Sequence, residues 1–161
     1  MFDLIIPTYS FALTYSQKLV VEIPDDRMCD QPVPGRIMNH GAWTLGHIAW
    51  SLGNGLVLLG HATPTSDWQS LFGTGSQPQS ERSKYPDKEV LVQTLQRVHA
   101  DLLKALQTAT TDQLNGPPHE QMRHRFPTLA HMLAGLMTAH FGVHNGQLSA
   151  WRRATGWPGV F

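Results

Sequence analysis

The stretch His140-Phe141-Gly142-Val143-His144-Asn145-Gly146-Gln147 decides how this chain is read. It places two histidines four residues apart in a segment that reads as helix. At about 1.5 Å rise per residue they lie roughly 6 Å apart along one face. Two imidazoles so placed can grip one divalent metal ion, provided a third ligand arrives from elsewhere. The strongest candidate for that third ligand is His47, in Trp43-Thr44-Leu45-Gly46-His47.

Outward from this stretch, the pattern predicts four long helices. The first spans about residues 9–22 and stops before Pro24. A proline-bearing connection follows. Asn39 is the expected N-cap of a second helix over residues 40–59, ended by Gly60. Residues 61–85 are rich in Ser, Thr, Gly, Pro and Gln and form a long crossover. Pro86 and Asp87 suit the opening of a third helix that runs to Thr108. A loop with Asn115-Gly116-Pro117-Pro118 leads to Pro127, which opens a fourth helix reaching Ala154. No alternating β pattern competes. The expected fold is therefore all-α, one four-helix-bundle domain over residues 1–161. The crossover is too long for a hairpin, so helices two and three are expected to run parallel.

The helix faces assign the remaining residues. On helix four, Leu129, Leu133, Leu136, Met137, His140, His144, Gln147 and Trp151 share one face. Gly135, Gly142, Gly146 and Ser149 line the other, a smooth stripe against which a helix could pack. On helix two, Trp43, His47, Trp50, Asn54 and Leu58 share a face. His40 lies roughly 10 Å from His47 along the axis and is not expected to join the same ion. Gly46 and Gly53 weaken the helix intrinsically, which suggests close packing. His131 falls on the far side of helix four, and His61, His119 and His124 fall in loops. His99 is a weak fourth candidate. Arg152 and Arg153 read as solvated helix-end charges, the tryptophans as core, and Cys29 as an ordinary thiol.

Composition narrows the function. Of 161 residues, 41% are hydrophobic, and twelve basic residues balance twelve acidic ones. A nucleic-acid binder normally needs a Lys/Arg surplus, so nucleic acid is not an expected partner. No apolar run reaches the roughly 18 to 20 residues that span a bilayer. The N-terminus lacks a basic n-region and carries Pro7 within its apolar run, a poor signal peptide. A single cysteine allows no intrachain disulfide and suits a reducing cytoplasm.

The motifs Trp43-x-x-x-His47 and His140-x-x-x-His144-x-Gly146-Gln147-Leu148, leading into Arg152-Arg153-Ala154-x-Gly156, resemble the DinB-like (DinB/YfiT) superfamily over about residues 8–156. The resemblance implies an up-down-down-up bundle, commonly a homodimer. It also implies a divalent metal, zinc or nickel, on His47, His140 and His144. Some relatives are metal-dependent transferases or isomerases that use low-molecular-weight thiols such as bacillithiol or mycothiol.

Three neutral imidazoles leave a zinc-like ion an open position, the pattern of catalytic sites. Gln147 and Asn54 could orient ligands from behind. No Asp or Glu falls on the inward faces beside the histidines, which disfavours a hydrolase with a carboxylate base. The expected function is a metal-dependent transferase acting on a small thiol. A non-catalytic metal-binding bundle and a metal-dependent hydrolase are the alternatives.

Overall fold

A computed structural model describes residues 2–160. Among these there is no strand, and the helices are α1 (Ile6–Val20), α2 (Gly41–Leu58), the short α3 (Gln69–Phe72), α4 (Lys88–Thr108), the short α5 (Thr111–Asn115), α6 (Leu129–Gly135) and α7 (Phe141–Ala154). A five-residue π turn, Leu136–His140, joins α6 to α7. The long elements match the four expected helices, with ends shifted by at most three residues.

The direction of each helix follows from hydrogen bonds gathered at one end of the bundle. The Ala42 amide donates to the Met28 carbonyl, and the Lys88 amide donates to Asp25 Oδ1 at 2.6 Å. So α2 and α4 both start beside the turn at residues 25–28. The Lys88 ammonium reaches the Ile23 carbonyl just past the end of α1, and Arg152 near the end of α7 reaches the Leu19 carbonyl. Two helices therefore end where two begin, which is the up-down-down-up order. Leu45, Leu52 and Leu56 of α2, Leu95 and Leu102 of α4, Leu19 of α1 and Leu148 of α7 fill the shared core. No helix among the described residues is long and apolar enough to cross a membrane.

Three local expectations need correction. The cap of α2 is His40, not Asn39: the His40 backbone is extended and its Nδ1 accepts from the Trp43 amide at 3.3 Å. Asn39 instead reaches across to Gln147. The fourth helix is not one regular helix either. The π turn adds a residue to its winding, so the buried line runs Leu133, Met137, Phe141 and Asn145 at steps of four. Thr138 Oγ1 donates to the Ala134 carbonyl at 2.7 Å within this wide turn. As a result Phe141, Asn145 and Leu148 are core, and Gln147 is exposed. The glycine stripe also divides: Gly135 lies under Phe126, but Gly142 and Gly146 face open space.

Arg152 is the third correction. It is 1% exposed, not solvated. Its guanidinium donates to the carbonyls of Leu19 and Pro158 and to the Glu22 carboxylate. A buried cation is tolerated only with such partners, and here it ties the end of α7 to the end of α1. Replacing it leaves a buried carbonyl without a donor. Arg152→Ala is expected to lower the unfolding free energy by about 2–4 kcal/mol. Arg153→Ala should stay within about 0.5 kcal/mol. Urea denaturation followed by circular dichroism checks both, and equal midpoints for the two variants would contradict the assignment.

A three-histidine candidate metal centre

Antiparallel packing of α2 on α7 brings the histidines together. A side chain built at Gly41 would meet Trp151, and one at Gly55 would meet Leu133. Between these contacts His47 faces the pair on the π turn and α7. One ring nitrogen each of His47, His140 and His144 lie within 4.8 Å of one another. Ring centroids are 5.2 Å apart for His47 and His140, 4.6 Å for His47 and His144, and 4.5 Å for His140 and His144. Among the described residues this is the one group of three potential ligands so placed.

Two of the rings are held by partners that set their proton. His47 Nδ1 lies 2.6 Å from the Phe72 carbonyl. A carbonyl only accepts, so Nδ1 carries the hydrogen and Nε2 keeps the lone pair. His144 Nδ1 lies 2.9 Å from Gln147 Oε1, with the same consequence. Asn39 Nδ2 donates to that oxygen at 3.0 Å. Gln147 is exposed rather than on the inward face the sequence predicted, yet it bonds to His144, and Asn39 supports it. His140 has no such partner: its Nδ1 is buried without a hydrogen bond. Its Nε2 lies 3.2 Å from His47 Nε2. On a tetrahedral zinc-like ion with bonds of roughly 2.0–2.1 Å, two nitrogens sit about 3.3 Å apart. The imidazoles therefore fit an ion and could hold one.

The surroundings are aromatic and uncharged. Trp43 stacks on His47 with centroids 4.7 Å apart and planes at 8°. Its indole N–H donates to Ser76 Oγ at 3.0 Å. Trp50 is tilted against His47 at 6.0 Å. Trp43 is core, as expected, but it is also a wall of the site. Burial is the largest cause that lowers the pKa of all three histidines. Together with the neighbouring imidazoles it takes His140 down to about 3 and His144 to about 4. Among the described residues, no carboxylate, lysine or arginine shifts any of the three. The rings are neutral at pH 7, the state that ligates metal.

The other candidates lie elsewhere. His40 is buried, bonded to the Gln79 carbonyl, and held neutral by burial, with a pKa of about 4. His99 stacks on Tyr9 at 3.9 Å and is outside the cluster. His131 is exposed and bonded to Thr128, the N-cap of α6. Asn54 is half-buried two turns along α2 from His47, with no hydrogen bond to the cluster among the described residues. Cys29 is buried, and burial raises its thiol pKa to about 11, which suits an unreactive side chain. A groove of about 650 Å³ between α1 and α4 shares no residue with the histidines.

Fold and site together define a helical bundle with a three-imidazole centre between its second and last long helices. The family model of the DinB superfamily matches residues 8–148, and the chain belongs to that superfamily. No curated protein and no solved structure matches the chain.

The lowered pKa values carry a pH dependence. Below about 6.5 the unfolded chain binds protons at these rings, whereas the folded chain does not until about 3 for His140 and about 4 for His144. Stability of the metal-free protein is therefore full above about 6.5 and lost as the pH falls from there toward those values. The urea midpoint should drop between about pH 7 and pH 5. The drop should shrink in a His140→Phe variant. A flat midpoint over that interval would show that the rings are not buried neutral.

Proposed function

We propose that His47, His140 and His144 bind one divalent ion, zinc or nickel, and that the site activates a low-molecular-weight thiol for transfer to an electrophile. One observation carries the reading: three neutral imidazoles converge with no carboxylate beside them. Membership of the DinB superfamily supports it. When bound, a divalent ion supplies the positive charge that favours thiolate over thiol and fixes the sulfur beside the electrophile.

The chain supplies the rest. The Phe72 carbonyl and Gln147 hold the Nδ1 protons of His47 and His144, so both Nε2 lone pairs point at one place. Trp43 and Trp50 keep water from one side of His47. His140 is only partly buried and Gln147 is exposed, which leaves the other side open to a small molecule. No side chain in the cluster can take the thiol proton as a carboxylate would, so it passes to solvent. The sulfur then forms its bond to the electrophilic carbon, and the leaving group departs with its electron pair. The same lack of a carboxylate weighs against the hydrolase. A reducing cytoplasm, where such thiols stay reduced, is the location that fits this chemistry.

Untagged protein is expected to contain about one equivalent of metal per chain, as structural and catalytic histidine sites do. Each of His47→Ala, His140→Ala and His144→Ala should lose most of it by elemental analysis after dialysis, and His131→Ala should keep it. Metal-loaded protein should consume bacillithiol, mycothiol or glutathione with a model electrophile, and His144→Ala should not. Metal binding without thiol binding or consumption would favour the non-catalytic bundle. Full metal retention in any of the three variants would remove that residue from the site.

The proposal extends to a homodimer. Gly142 and Gly146 are uncovered on α7, Val143 beside them is 59% exposed, and Phe11 on neighbouring α1 is 58% exposed. An exposed apolar face of this kind suits contact with a second copy of the chain. Sedimentation at tens of micromolar protein should give twice the chain mass of 17.9 kDa. A species of one chain mass would end this part of the reading.

A further inference from the structure

The crossover between α2 and α4 returns along α2 in register. As α2 positions rise through His40, Trp43 and His47, their partners fall through Gln79, Ser76 and Phe72. The bonds are 2.9, 3.0 and 2.6 Å long, and the three α2 residues lie on one helical face. Two glycines of α2 let the crossover come this close. A methyl at Gly46 would lie 2.1 Å from the Phe72 ring, and one at Gly53 would lie 2.2 Å from Thr65 Oγ1. Phe72 is fully buried in the notch at Gly46.

We infer that this strap, residues 72–79, is a positioning element of the metal centre, and that its docking and metal binding strengthen one another. The inference rests on the reading of the three histidines as ligands. Phe72 acts through its carbonyl, which fixes the tautomer and rotation of His47. Ser76 acts through Trp43, which it holds flat against the same imidazole. Neither touches the place where the ion would sit. Because Phe72 is seated by its ring at Gly46, the orientation of His47 depends on a loop contact rather than on α2 alone. A ligand orienter of this kind changes metal affinity about 10- to 100-fold when removed. Linkage requires the converse: whatever the strap adds to metal affinity, the ion adds to strap docking.

The test uses the full chain and cobalt or zinc alone. Hydrogen exchange at residues 72–79 should slow when wild-type protein is loaded. Gly46→Ala, which unseats Phe72, should weaken metal binding about 10- to 100-fold. Ser76→Ala should weaken it less and shift the cobalt ligand-field spectrum, and Ser76→Thr should restore both. Ser76→Ala keeps the test open should Gly46→Ala fail to fold. If wild-type protein binds neither ion, the histidine reading falls and this inference with it. If wild-type binds the ion but strap exchange does not change, the inference alone is overturned. The same holds if the Ser76→Ala spectrum and affinity equal those of wild type.

Discussion

A helix can bring a second and third ligand to a metal only if another helix passes it at a fixed height. Here that constraint is the antiparallel contact of α2 with α7. Small residues on α2 bracket it: Gly41 receives Trp151 at one end, and Gly55 sits against Leu133 at the other. His47 lies between these two points, and so do His140 and His144. Sliding either helix by one turn would carry His47 about 5.4 Å along the axis and break the cluster. The buried Arg152, bonded to α1, holds α7 against such sliding.

The chemistry of the site follows from what that packing excludes. The imidazoles sit against Trp43 and Trp50, and the ion pairs Asp25–Arg82, Arg97–Asp101 and Glu22–Arg152 lie elsewhere. In such surroundings a proton on any of the rings is costly, because burial disfavours the charged form. The rings stay neutral and keep lone pairs available. An ion held by them would keep its double charge uncompensated, which is what the proposed thiol chemistry needs.

The π turn and the crossover solve related problems. Both bend local backbone away from the regular helix in order to aim a ligand. The π turn ends at His140 and lets α6 bury Leu133 while α7 buries Phe141 and Leu148. The crossover spends a residue as large as Phe72 to bring one carbonyl to His47. Wide helical turns are often found at functional sites for this reason.

Much of this was legible in the sequence. Helical periodicity, prolines and glycines marked the four long helices, because local backbone preferences act within a few residues. The i,i+4 pair was recognisable because helical spacing puts both rings on one face, and His47 because such a pair needs a third donor from elsewhere. Gln147 stands one turn from His144, but the sequence pattern put it on the inward face and the structure leaves it exposed. Other features depend on contacts between distant segments, which no local pattern encodes. Gly46 hinted at close packing but not that Phe72 would fill the gap, and nothing in the crossover marked Ser76 as the support of Trp43. Asn39 read as a cap because its type suits one, yet His40 took the role once the helix began at Gly41. Arg152 and Arg153 are identical by type and adjacent in the chain. Only the side of α7 that meets α1 decides that one is buried in a web of carbonyls and the other faces water.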